Sequence, residues 1–151
     1  METFGQNISV AAGSSLTLAD FANINDGSGA TLRNEGTLNA DENPFLRVEL
    51  VNAGTLNLGN DLVTLRVDDF TQEAGGVLTL GVGTDPFQGA FSALSTIRAD
   101  RDDVTLAGEL RFVADDPADP GNPLVEYASI QPYDFGAEIL SADEQLFGTF
   151  D

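Results

Sequence analysis

The chain has 151 residues, with 25 acidic against 6 basic side chains, a formal net charge of −19, and no His, Cys or Trp. All the basic residues are arginines, so Lys is absent as well. Without Cys there is no disulfide or thiolate site. Without His and Lys the chain lacks the commonest general base, transition-metal ligand and Schiff-base amine. Binding to phosphate backbones needs clustered cations, so nucleic acid and anionic membrane surfaces are poor partners. A hydrophobic share of 42% separates the sequence from disordered acidic tails and allows one domain with a core.

The start, Met1-Glu2-Thr3-Phe4-Gly5, has neither the basic nor the apolar region of a signal peptide. No apolar run approaches the ~20 residues of a membrane-spanning helix, so no membrane insertion is expected. Short alternating segments follow. Leu16/Leu18, Leu46/Val48/Leu50, Leu56/Leu58, Val63/Leu65/Val67, Leu78/Leu80 and Leu110/Phe112 all fit period two, the mark of strands with one buried face.

The segments repeat. Asn34-Glu35-Gly36-Thr37-Leu38-Asn39 returns as Asn52-Ala53-Gly54-Thr55-Leu56-Asn57. Looser copies stand at Gly13-Ser14-Ser15-Leu16-Thr17-Leu18, Gly76-Val77-Leu78-Thr79-Leu80 and Gly108-Glu109-Leu110-Arg111-Phe112. Leu16, Leu38, Leu56, Leu78 and Leu110 thus recur at short intervals, the last step being the longest. Spacings of roughly 20 residues match one coil of a β-solenoid. Nine of the ten asparagines precede residue 61. Asn suits left-handed corners and amide ladders between stacked coils, although a meandering sheet with Asn turns would share the bias.

The composition then changes. Eight of the twelve aromatics and five of the six prolines follow residue 80. Aromatics and proline-rich loops suit a cap that covers the open end of a stack. The sequence therefore predicts an all-β solenoid of about 18–22-residue coils over 1–80, continuous with an aromatic-rich terminal cap over 81–151. One helix is a candidate: Asp85-Pro86 reads as a start signal, with Phe87, Phe91 and Leu94 spaced as on one helical face. The alternative is a loop leading into a strand at Leu94 to Ile97.

Leu32-Arg33-Asn34-Glu35-Gly36-Thr37-Leu38 and Leu50-Val51-Asn52-Ala53-Gly54-Thr55-Leu56 resemble the coils of autotransporter passengers and filamentous adhesins. The second half resembles the module that closes such solenoids. Its matching elements are Phe70-Thr71-Gln72-Glu73-Ala74-Gly75-Gly76-Val77-Leu78-Thr79-Leu80, a short strand at Phe91-Ser92-Ala93-Leu94, and Val104-Thr105-Leu106-Ala107-Gly108-Glu109-Leu110-Arg111-Phe112. It closes on Ile139-Leu140 and Gly148-Thr149-Phe150. The resemblance covers about residues 29–151 and implies a bacterial cell-surface or secreted, extracellular location. In autotransporters a membrane β-barrel follows such a cap; here the chain stops at Asp151. The repeats favour a piece of a longer secreted chain over a cytosolic protein.

The candidate chemistry is carboxylate only. Hard oxygen ligands at short spacing suit Ca²⁺, and Asp115, Asp116, Asp119 and Asn122 fall in one loop. Asp100 with Asp102-Asp103 is a poorer candidate, and neither matches a known calcium-loop motif. Asp68-Asp69, at a strand end, is where a glycan-hydrolysing carboxylate pair would sit, against the plainer reading of a solvated acidic surface. Thr17, Thr37, Thr55 and Thr79 align in the repeat, but they occur singly and in different flanking contexts, which argues against the Thr-x-Thr ladders of ice-binding solenoids. The expected role is a non-enzymatic structural or adhesive segment: a stiff rod that self-associates into filaments or biofilm matrix, or continues into neighbouring coils, and meets a host or surface glycan or protein. It requires no cofactor, with Ca²⁺ optional. The alternative is a polysaccharide-binding or -hydrolysing β-helix using Asp68, Asp69 and neighbouring carboxylates.

Overall fold

The computed structural model describes residues 7–19, 22–25, 29–41, 43–58, 63–84, 91–100, 104–115, 123–126, 140–142 and 146–148. All regular structure among them is β. The first strands are β1 (Ile8–Val10), β2 (Ser15–Leu18), β3 (Asn23–Asn25), β4 (Thr31–Asn34), β5 (Thr37–Ala40), β6 (Phe45–Arg47), β7 (Glu49–Asn52), β8 (Thr55–Leu58) and β9 (Thr64–Val67). They are followed by β10 (Asp69–Gln72), β11 (Val77–Thr84), β12 (Phe91–Leu94), β13 (Thr96–Ala99), β14 (Val104–Leu106), β15 (Glu109–Asp115), β16 (Pro123–Glu126), β17 (Leu140–Ala142) and β18 (Leu146–Gly148).

Three sheets result. The first runs β1-β4-β7-β10-β14-β18, the second β2-β5-β8-β11-β15-β16, and the third β3-β6-β9-β13-β17. Through β10 every third strand returns to the same sheet, beside its predecessor and parallel to it. The arrangement is compatible with a β-helix, each circuit laying one strand on each sheet. At about 4.8 Å per step the six strands of the first sheet span roughly 24 Å.

The leucines of the repeat are in direct register: Leu16, Leu38, Leu56, Leu78 and Leu110 pair in sequence across the second sheet. Ile8, Leu32, Leu50, Phe70 and Val104 do the same in the first. In the third, Leu65 pairs with Ile97 and Val67 with Ala99. These columns form one buried cluster, with Ile8, Leu16 and Leu110 partly buried and packed against it. Burying a side chain of this size contributes about 1.5–3 kcal/mol.

The corner between the first and second sheets explains the Asn-x-Gly-Thr unit. Asn34 and Asn52 end β4 and β7 facing inward, fully buried, and Gln72 continues the column. Asn34 Nδ2 donates to Asn52 Oδ1 at 2.7 Å, and Asn52 Nδ2 donates to Gln72 Oε1 at 2.8 Å. The same two amides also donate to the Thr55 and Val77 carbonyls just past the next corner. The ladder thus satisfies backbone groups that the turn would leave unpaired. Gly54 is required by close approach: a Cβ there would lie 2.3 Å from the Gly36 carbonyl oxygen. That carbonyl accepts from Thr55 N at 2.8 Å and carries the backbone ladder around the corner. The corners differ in length, with Glu35-Gly36 and Ala53-Gly54 short and Glu73 to Gly76 longer, yet the register is unchanged. This accounts for part of the unequal spacing of Leu38, Leu56 and Leu78; the rest enters between β8 and β10.

Past residue 80 the parallel ladders continue, with antiparallel additions. Phe91–Leu94, one end of the expected helix, is strand β12 and pairs antiparallel with the far end of β11. The start signal at Asp85-Pro86 and Phe87 lies outside the described residues. Three apolar residues at helical spacing are a short signal, and the far end of β11 offers the segment a backbone partner. Strand β13 follows β12 almost at once, close to the alternative reading. Between them Ser95, fully buried, donates to the Leu58 carbonyl at 2.7 Å and accepts from Val63 N at 3.1 Å. It ties this turn to the previous circuit. Strand β16 adds antiparallel to β15 in the same manner as β12. The insertion of β12 lengthens the step from β11 to β15, and the leucine column stays intact, Leu78 pairing with Leu110.

Candidate functional site

The calcium candidates fall mainly outside the described residues: Asp116, Asp119 and Asn122 are among those not described, and Asp115 is placed only as the last residue of β15. Asp102 and Asp103 also lie outside, whereas Asp100 follows β13 directly. Asp68 and Asp69 are separated by exposure. Asp68, at the bend between β9 and β10, is 8% exposed; Asp69 opens β10 and points outward, since Phe70 and Gln72 of that strand point in.

The outer faces of the three sheets differ in character. On the first, Glu49 and Asp69 are in register, and the Thr31 hydroxyl donates to Glu49 at 3.1 Å. Arg33 donates through both terminal nitrogens to Glu73, far along the chain, at 2.8 and 3.0 Å, and through Nε to Glu35 at 2.9 Å. The hydrogen bond from Arg33 holds the Glu73 carboxyl below its ordinary range, and Glu73 first, then Glu35, pushes the Arg33 guanidinium up. This clamp reaches from β4 to the end of β10, across three adjacent strands.

The outer face of the second sheet is a hydroxyl and amide lattice. One column is Ser15, Thr37, Thr55 and Val77; the other is Thr17, Asn39, Asn57 and Thr79. Thr17 and Thr79 are therefore not in line with Thr37 and Thr55: relative to the leucine column, Thr37 and Thr55 stand one residue before it and Thr17 and Thr79 one residue after it. Asn57 Nδ2 donates to Asn39 Oδ1 at 3.2 Å, and Asn39 Nδ2 to Ser15 Oγ at 3.3 Å. At the far end Arg111 holds Glu109 at 2.7 and 3.0 Å and lowers its pKa. A shallow depression of about 300 Å³ lies beside this corner, lined by Ala74, Gly75, Gly76, Val77, Gly108 and Glu109. Its single carboxylate, Glu109, is already engaged by Arg111.

The third sheet collects arginines. Arg47, Arg66 and Arg98, half of those in the chain, are exposed there. Arg66 and Arg98 are in register and share one carboxylate: Asp100 accepts from Arg66 at 2.6 and 3.0 Å and pairs with Arg98 at 2.9 Å. Arg66 and Arg47 also stand 4.8 and 5.4 Å from the centroid of the Phe45 ring. This clustering is not evident along the linear sequence. Its signal is that each arginine flanks a buried residue in β6, β9 or β13, and so shares the outward parity of its strand.

Comparison of the chain with protein-family models, curated proteins and solved structures finds no match.

Proposed function

We propose that this chain is a β-solenoid segment with a structural or adhesive role on a bacterial surface or in a secreted matrix. The observation that carries the reading is the register. Leucine, amide and glycine columns each repeat through successive circuits, so side-chain and backbone hydrogen bonds run along the stack. A stack of this kind resists bending because each circuit is bonded to the next across three sheets. Residues 81–151 are the terminal cap in this reading, and the rod associates with further coils or copies. The glycan-hydrolase alternative draws less support, since Asp68 is nearly buried and Asp100 is held by two arginines. Calcium binding at Asp115, Asp116, Asp119 and Asn122 belongs to the same proposal. Calorimetric titration with Ca²⁺ checks it, and no heat with no rise in melting temperature removes it.

The test of the main reading is small-angle scattering together with incubation on a panel of polysaccharides. The expected result is an elongated particle and no turnover. Reproducible glycan cleavage that is lost in Asp68→Asn with the fold intact would overturn it in favour of the hydrolase.

A further inference from the structure

Among the described residues the outer faces carry opposite charge. The first sheet presents four carboxylates, Glu35, Glu49, Asp69 and Glu73, against one guanidinium, Arg33. The third presents three guanidiniums, Arg47, Arg66 and Arg98, with the carboxylates of Asp100 and, nearly buried one circuit earlier, Asp68 at its corner. Each face also sets like charges in register: Glu49 beside Asp69 on one, Arg66 beside Arg98 on the other. Directly opposed like charges on neighbouring strands are unfavourable, and a face of opposite sign brought against them relieves the repulsion. On both faces the charges repeat at the strand spacing of about 4.8 Å.

We infer that the third-sheet face around Phe45, Arg47, Arg66 and Arg98 is a docking surface for the acidic first-sheet face of a second copy of this chain. The inference deepens the rod reading and rests on it, by giving self-association a lateral route. The contact is heterologous, with different patches meeting. It leaves an acidic face open on one copy and a basic face on the other, and so propagates into a bundle instead of closing as a dimer. A net charge of −19 opposes approach at long range, while the facing pairs attract at contact. Salt therefore acts in two directions. At ~0.01 M the repulsion acts over ~30 Å and dominates; near 0.1 M it is screened beyond ~10 Å; at 1 M, with a ~3 Å screening length, the contact pairs also weaken. Association is greatest near 0.1 M.

The chain contains no cysteine, so single reporters are clean. Thr64→Cys lies on the outer third sheet and Val51→Cys on the outer first sheet. Mixed in separate copies near 0.1 M salt, the two are expected to form a Thr64→Cys to Val51→Cys cross-link, in preference to either homodimer and sharply reduced at 1 M. In sedimentation velocity, Arg47→Gln with Arg98→Gln weakens association at least about tenfold, with the circular dichroism melt unchanged. End-to-end stacking alone would give no such cross-link and no response to the arginine variants, overturning lateral docking while leaving the rod intact. Arginine-dependent retention of heparin without the cross-link would likewise overturn it in favour of a polyanionic glycan. A compact particle in scattering would remove the rod reading itself.

Discussion

Gly54→Ala tests the corner geometry with one methyl group. The new Cβ would lie 2.3 Å from the Gly36 carbonyl oxygen, with Glu35 C at 2.7 Å and O at 2.9 Å. All three neighbours are backbone, so no side chain can rotate away. Reaching ordinary contact near 3.4 Å requires the corner to open by about 1.1 Å. The same movement would stretch the 2.8 Å Thr55 N to Gly36 O hydrogen bond past useful length. Overpacking costs about 1–3 kcal/mol and the unmade buried hydrogen bond about 1–3 kcal/mol more. The sum is a large fraction of the stability of a domain this size, and lowers the melting temperature by roughly 10 °C. Gly75→Ala is the matched control, since its nearest neighbour would be the Ala53 carbonyl at 3.8 Å and its φ is not positive. It should be neutral or stabilising by about 0.4–1 kcal/mol. Urea unfolding of both variants decides. Equal effects at the two positions, or a Gly54→Ala change within ~0.5 kcal/mol of wild type, would refute the close-approach argument.

Asn52→Leu removes the middle rung of the amide ladder and leaves Gln72 Oε1 and the Val77 carbonyl without their donor; a loss of about 2–4 kcal/mol is expected in urea titration. Asn57→Ala, on the outer face, should cost under about 1 kcal/mol; the reverse order would refute the interior ladder. Ser95→Ala should destabilise by about 2–3 kcal/mol by leaving the Leu58 carbonyl and Val63 N–H unpaired. Glu73, lowered from 4.5 by Arg33, stabilises the fold above that value, and the contribution disappears as pH falls through the depressed pKa. Glu73→Gln should therefore melt slightly below wild type at pH 7 and coincide with it in strong acid, the difference being small because both side chains are half exposed. A gap that widens on acidification would contradict the clamp.

Much of the circuit is legible because it is written in local chemistry. Leucines recurring one residue after a Gly-Thr or Gly-Ser-Ser corner fall into register whatever the corner length, and period two fixes which side chains turn inward. The asparagine bias likewise marks a ladder, at Asn34–Asn52 inside and Asn39–Asn57 outside. Gln72 reads in the sequence only as part of a capping motif. Its place as the third rung is hidden because Gln replaces Asn and the interval from Asn52 differs from that between Asn34 and Asn52. The helical spacing of Phe91 and Leu94 misleads where the chain has a sheet edge to join.

The sequence by itself determined inward and outward parity, the leucine columns and the glycine corners, since each depends on a few consecutive residues. Only the tertiary structure decided which outward residues meet. Arg66 reaches Asp100 over 34 positions and Arg33 reaches Glu73 over 40. Loop lengthening costs little free energy, so corners and hairpins of different length intervene without disturbing register. Linear spacing thereby loses the information about neighbours across strands, and the division of the charges into an acidic and a basic face becomes visible only when the circuits are stacked.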